Sequence, residues 1–119
     1  MIQGDKELLL KDICARLPYG VKINENIQGD FTLLGLTNER VFTTCEVEGC
    51  HNDFPIELIK PYLFPLSSMT EEERIAIGNE FAYGQPHKAM DLLHKRHIDY
   101  RGLIEKGLAI DATGLNIYC

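Results

Sequence analysis

The sequence predicts an α+β fold in which one helix precedes a small antiparallel five-stranded β-barrel and two or three helices follow it. Two observations lead to this prediction. Short β-rich runs separated by turn residues fill the middle of the chain, and helical patterns lie on both sides of them. The chain has 119 residues and 45% hydrophobic content. That is enough to bury one core, so we expect a single domain over residues 1–119.

Residues 1–18 are predicted to contain the N-terminal helix. Apolar side chains recur there at helical spacing, and charged side chains occupy the positions between them. The apolar positions are Leu9, Leu10, Ile13, Cys14 and Leu17. Pro18 and Gly20 follow directly, and because both residues disfavour a continuing helix, we expect the helix to stop there.

Residues 19–66 are predicted to form the barrel. The β-rich runs are 21–23, 31–36, 40–47 and 50–56, and the Gly, Asn and Asp residues between them suit hairpin turns. Residues 56–59 suit one 3₁₀ turn, and residues 60–66, with two prolines, suit a final edge strand. This order is similar to that of Src-homology (SH3) and Tudor barrels, in which a short meander hides its edges by curling shut. The chain contains no Trp, so the proline-peptide specificity of such barrels is not implied.

Residues 67–119 are predicted to be helical, with a terminal hairpin possible. Thr70 and Glu73 have the spacing of a capping box, so a helix should begin there and end near Gly84. A second helix should begin at Pro86 and run to about His97. A third should cover residues 100–106, and residues 108–110 and 115–118 could pair as the hairpin.

Charge and composition limit the functional classes. The net charge of −6 and the pI near 5.1 argue against a broad phosphate-binding surface. The N-terminus lacks a basic segment followed by an apolar one, and no apolar run approaches the roughly 20 residues of a membrane helix. We therefore expect a cytoplasmic protein without a membrane partner. Its four cysteines should be reduced thiols, although Cys45 and Cys50 could face each other across a hairpin and pair under oxidising conditions.

No pattern in the sequence predicts an enzyme. His87, Asp91 and His94 could share one helix face and are possible metal ligands, but the neighbouring lysines are typical of a solvated face, and we predict neither metal nor cofactor. Cys50 and His51 would point to opposite sides of a strand, which is a poor arrangement for a nucleophile and its base. The sequence also lacks the phosphate-binding, dinucleotide-binding and serine-hydrolase motifs.

Three segments carry a resemblance. LLLKDICARLPYGV (residues 8–21), KPYLFPLSSMTEEE (residues 60–73) and HIDYRGLIEKGLA (residues 97–109) resemble uncharacterised short proteins of Bacteroides-type gut bacteria and their phages or mobile elements. The resemblance implies the cytoplasm of an anaerobic bacterium, which agrees with reduced thiols. It brings no activity and no site residues with it.

Two functions remain as hypotheses. The first is a non-enzymatic protein-interaction module in which Tyr19, Tyr62 and Phe64 form the partner-binding surface, since aromatic residues are enriched at such surfaces. The alternative is a nucleic-acid-associated accessory protein that uses the C-terminal helices. Its contacts would come from the basic cluster Lys88, Lys95, Arg96, Arg101 and Lys106. An exposed apolar groove would favour the protein partner, and a continuous positive surface would favour nucleic acid.

Overall fold

The structure is a computed structural model that describes residues 2–44 and 52–118. Within these residues the elements are α1 (Gln3–Arg16), β1 (Lys22–Glu25), β2 (Gly29–Leu36), β3 (Arg40–Thr43), β4 (Asn52–Pro55), β5 (Ile59–Pro65), α2 (Glu71–Ala82), α3 (Pro86–Lys95), β6 (Ile98–Asp99) and β7 (Ile110–Asp111). Short 3₁₀ turns occupy Leu17–Tyr19, Ile56–Leu58 and Leu66–Ser68. Cys45, Cys50 and His51 lie outside the described residues, and Cys14 is an exposed free thiol.

The N-terminal helix α1 forms and stops as the sequence predicts. Leu9 and Ile13, one turn apart, are fully buried in the same apolar cluster as Ile23 of β1. The chain leaves the following 3₁₀ turn through Gly20, whose φ of 67° lies in the left-handed region. Glycine adopts this conformation without steric cost, which explains the stop at this position.

The four strands that follow α1 form the predicted antiparallel meander. β1 pairs with β2 through Ile23 and Phe31, and β3 pairs with β4 through Val41 and Phe54. β2 pairs with β3 with a register shift between Leu33 and Gly35. The sequence order of four strands, a 3₁₀ turn and a fifth strand is therefore confirmed.

The prediction of a closed barrel is wrong. The strand order is β4-β3-β2-β1-β5-β6, with β7 also paired to β5, and the sheet is mixed and open. β5 was predicted as an edge strand, but it pairs antiparallel with β1 and parallel with β6 and β7. Since these later strands occupy the far side of β5, the sheet extends in that direction instead of curling back on β4.

The C-terminal part begins as predicted. The hydroxyl of Thr70 accepts a hydrogen bond from the backbone of Glu73 at 3.1 Å, and the Glu73 carboxylate accepts one from the backbone of Thr70 at 3.2 Å. This is the predicted capping box of α2. Helix α3 begins at Pro86 and ends two residues before His97. None of the helices within the described ranges combines the length and apolar character needed to cross a bilayer.

The predicted third helix and terminal hairpin are wrong. Residues 100–102 are not helical and residues 103–107 form turns, because the buried carboxylate of Asp99 accepts the backbone N–H groups of Leu103 and Ile104 at 3.0 and 2.9 Å. These donors are thereby fixed by a side chain, which competes with helix formation. Ile110 pairs with Tyr62 of β5 instead of with residues 115–118.

One apolar cluster combines residues from all three predicted parts of the chain. It includes Leu9 of α1, Val41 and Leu63 of the sheet, and Leu103 and Leu108 of the C-terminal turns. The C-terminal third therefore contributes both strands and core side chains.

Candidate functional site

A cleft of about 530 Å³ lies at the C-terminal end of α3. Four parts of the chain form it: the 3₁₀ turn after α1, strand β5, the end of α3, and the segment after β7. The lining side chains that matter for binding are Tyr19, Phe64, Lys95, Arg96, His97 and Tyr118. A volume of this size falls within the usual range of ligand-binding clefts.

The aromatic wall of the cleft is firmly anchored. The Tyr118 ring stacks on His97 with centroids 3.9 Å apart and lies 5.9 Å from the ring of Phe64. The Tyr118 hydroxyl accepts a hydrogen bond from Lys22 N at 2.9 Å and donates one to Tyr62 O at 2.7 Å. Burial raises the pKa of Tyr118 to about 12, so the phenol keeps the proton that this donation requires.

His97 occupies an unusual position in this wall. Its φ of 56° is left-handed although it is not glycine, a conformation that is uncommon for such residues and is concentrated at functional sites. Its backbone oxygen accepts from Phe64 N at 2.8 Å, which holds it beside β5. The residue is only 7% exposed, and its side-chain Nδ1 has no hydrogen-bond partner within residues 2–44 and 52–118. Burial, and then the nearby Arg16, lowers the pKa of His97 to about 4, so its ring is neutral at pH 7.

The cationic side of the cleft comes from the end of α3. Lys95 is the last helical residue and Arg96 is the C-cap, positions where basic side chains are favoured by the negative end of the helix dipole. Both are exposed. Arg96 lies 3.7 Å from a Glu73 carboxylate oxygen, but its side chain is 63% exposed. The pair is loose and leaves the guanidinium available to other anions.

Two smaller recesses extend the cleft. One, of about 310 Å³, shares Phe64, Arg96 and Gly114 with it, and the other, of about 260 Å³, shares Tyr19 and Lys95. Leu92 adds an apolar surface to the second recess. We call the cleft and these two recesses together the α3 groove. Because the three cavities share lining residues, they adjoin one another.

The structure brings together predicted residues from both functional hypotheses. Tyr19 and Phe64, predicted to contact a protein, line the same cleft as Lys95 and Arg96, predicted to contact nucleic acid. Lys88 lines one of the flanking recesses together with the carboxylates of Glu80 and Asp91.

The other predicted residues lie elsewhere. Tyr62 is buried, and its hydroxyl donates a hydrogen bond to the carboxylate of Asp30. Arg101 is bound to Asp12 at 3.1 Å. Lys106 is exposed in the turn after residue 101, and it does not line the α3 groove.

His87, Asp91 and His94 do not assemble as ligands. His94 is buried and its Nε2 lies 2.6 Å from the hydroxyl of Tyr100, whereas His87 is exposed. In the parts of the chain that the structure describes, no group of three His, Cys, Asp or Glu side chains has the geometry to hold a metal ion.

A buried charge network fixes α1 to the segment that follows α3. Asp12 accepts hydrogen bonds from Arg16 Nε at 2.9 Å and from Arg101 Nε at 3.1 Å, and Arg16 also donates to the carbonyl oxygen of Ile98. Arg101 Nη2 in turn donates to the hydroxyl of Tyr100 at 2.7 Å. The network holds the backbone that follows His97 and so positions one wall of the cleft.

Sequence reasoning missed His97, Tyr118 and the charge network. Asp12 and Arg16 have the i, i+4 spacing of a helical ion pair, which was a usable signal. The spacing does not reveal that both side chains are fully buried. His97 and Tyr118 are separated by 21 positions in the sequence, and nothing local indicates that their rings stack.

Comparisons with known proteins add no identity to this geometry. No family model, curated protein or solved structure matches the chain.

His97 predicts a dependence of stability on pH. Its pKa is about 4 when folded and near 6.5 when unfolded, so the unfolded chain binds the proton first as the pH falls. Stability should therefore decrease as the pH falls from about 6.5 towards 4. The variant His97→Asn, whose side chain tolerates the left-handed backbone, should lose less stability over this range. Urea midpoints measured near neutral pH and near pH 5 test this.

The control is His87→Asn, which removes an exposed histidine from α3. It should keep the wild-type difference between the two pH values. An unchanged difference in His97→Asn would contradict the prediction.

Proposed function

We propose that the protein is a non-enzymatic interaction module that binds a segment of another protein in the α3 groove. The observation that carries this proposal is the convergence of Tyr19, Phe64, Lys95 and Arg96, from three separated parts of the chain, on one concave surface. Aromatic and arginine side chains are the groups most often responsible for affinity at protein interfaces.

The lining defines the chemistry of the bound segment. Phe64 and Tyr19 are half-buried and offer an apolar surface to an aromatic or aliphatic side chain. Lys95 and Arg96 offer charge-assisted hydrogen bonds to a carboxylate. The preferred segment therefore carries an apolar residue close to an acidic one.

The same lining favours binding over catalysis. A general base that works near neutral pH is most effective when its pKa is close to that pH. The pKa of His97, which lines the cleft, is about 4, so His97 is poorly suited to this role. None of the described residues that line the central cleft has a carboxylate side chain.

Nucleic acid fits the charge distribution less well than a protein segment does. Of the five basic residues of the alternative hypothesis, Arg101 is engaged by Asp12, and Lys88 has the carboxylates of Glu80 and Asp91 beside it. Clustered uncompensated cations provide most non-specific affinity for a phosphate backbone. The net charge of −6 adds to the unfavourable balance.

The test is affinity capture from a native-host lysate, with bound proteins quantified by mass spectrometry and bound nucleic acid by absorbance. The double variant Lys95→Gln/Arg96→Gln should lose most of the proteins that the wild type retains, because both anion-binding groups are removed. Lys106→Gln, which changes one exposed cation outside the groove, is the control and should retain them.

Two results would overturn the proposal. One is equal capture of every protein by the wild type and the double variant. The other is nucleic acid as the main species lost from the double variant.

A further inference from the structure

Residues 113–118 form a strap that separates the cleft from a further recess. This recess has a volume of about 330 Å³, is not part of the α3 groove, and is lined on the side of the sheet by Lys22, Thr32 and Thr44. Asn116 and Ile117 line both the recess and the cleft. The strap is therefore the partition between these two cavities.

The Tyr118 hydroxyl of the strap takes a place in the ladder between β1 and β5. The direct pairing of these strands ends at Ile23 and Pro61. In the same antiparallel register, the next two residues to face each other are Lys22 and Tyr62. The Tyr118 hydroxyl lies between their backbones, accepting from Lys22 N at 2.9 Å and donating to Tyr62 O at 2.7 Å. One phenol thus replaces a direct contact between two strands and joins the strap to both of them.

The rest of the strap contributes little burial. Residues 113–116 are exposed, and among the described residues the apolar cluster of the core includes none from the strap. Segments with few buried apolar contacts open at a lower free energy than the whole fold. The contacts that oppose opening include the two hydrogen bonds of the Tyr118 hydroxyl and the stacking of its ring on His97. When the strap opens, water can take over both hydrogen bonds.

We propose that the strap opens while the rest of the protein stays folded, and that the Tyr118 hydroxyl is the group that holds it closed. In the closed form, the Tyr118 ring covers His97 and the strap divides the two cavities. In the open form, His97 is uncovered and the cleft is continuous with the recess beside Lys22. The inference concerns the free protein and does not depend on the function proposed for the α3 groove.

Hydrogen exchange of the wild-type protein, followed residue by residue by NMR, is the first test. The Lys22 N–H donates to the Tyr118 hydroxyl, whereas the Leu33 N–H donates to Val21 O at 3.0 Å inside the sheet. Opening of the strap should release the first amide but not the second. Lys22 should therefore exchange at least about tenfold faster than Leu33, and equal protection of the two amides would overturn the inference.

Chemical labelling of His97 by diethyl pyrocarbonate, quantified by mass spectrometry, is the second test. Tyr118→Phe keeps the aromatic ring but leaves the two backbone groups without their partner in the closed form, so His97 should be labelled about tenfold faster than in the wild type. The exposed His87 is the internal reference, and its rate should not change. Tyr83→Phe, which removes a hydroxyl from a residue that is 79% exposed, is the matched control and should leave the rate at His97 unchanged.

A core variant separates opening of the strap from unfolding of the whole chain. Val41 is fully buried on β3, so Val41→Ala lowers the stability of the closed and open forms together. The rate at His97 should stay at the wild-type value, because the balance between these two forms is not altered. An unchanged rate in Tyr118→Phe, or an increase in Val41→Ala as large as that in Tyr118→Phe, would overturn the inference. The latter result would mean that His97 becomes accessible only when the whole protein unfolds.

Discussion

Replacing Asp12 by alanine is expected to lower the free energy of unfolding by about 3–5 kcal/mol. Asp12 and Arg16 are both fully buried, and the Asp12 carboxylate also accepts a hydrogen bond from Arg101. Without Asp12, the charge of Arg16 stays buried without its counter-ion, which costs more than the contact itself contributed. Urea denaturation of the variant and the wild type at neutral pH measures the difference.

The matched control is Asp53→Ala, which removes an exposed ion pair. Asp53 lies 2.7 Å from Arg40, closer than Asp12 lies to Arg16, but both side chains are nearly half exposed. Its removal should cost about 0–1 kcal/mol, because water screens the pair. Similar losses in the two variants would contradict the prediction, since they would mean that burial of the Asp12 network has no energetic consequence.

Replacing Leu63 by alanine is expected to lower the free energy of unfolding by about 2–5 kcal/mol. Leu63 is fully buried, and it belongs to the apolar cluster shared by α1, the sheet and the C-terminal turns. Truncation removes apolar contacts and leaves a cavity that neighbours on several elements cannot close together. Thermal and urea unfolding of the purified variant provide the measurement.

Leu58→Ala provides the comparison for this substitution. Leu58 ends the 3₁₀ turn that leads into β5 and is exposed, so the same chemical change should alter stability by no more than about 0.5 kcal/mol. If Leu58→Ala proved as destabilising as Leu63→Ala, the assignment of Leu63 to the core would fail.

The elements that the sequence predicted well are those determined by neighbouring residues. Thr70 and Glu73 are three positions apart, and their capping box sets the start of α2. Gly20 alone supplies the left-handed backbone that ends the first helical segment. The strands of the meander likewise pair with their sequence neighbours across short turns.

The errors concern contacts between distant parts of the chain. β6 and β7 have two residues each and pair with β5 across long connections, so they contain too few residues to produce an alternating pattern. Whether β5 is an edge or an interior strand depends only on these pairings. The barrel prediction failed at this point, although the order of the first five strands was right.

The candidate site was predicted in fragments. Tyr19 and Phe64 were selected as aromatic residues, and Lys95 and Arg96 as basic ones, for two competing functions. Their convergence in one cleft depends on how the end of α3 packs beside β5, which no local pattern indicates.

The open sheet has a consequence for how copies of the chain behave at high concentration. Unpaired backbone groups along an outermost strand can recruit strands of other molecules and start polymerisation. Here the two ends of the strand order are β4, with four residues including Pro55, and β6, with two. Such short outermost strands offer little template for intermolecular pairing. This open sheet therefore has some of the resistance to aggregation that closure gives a barrel.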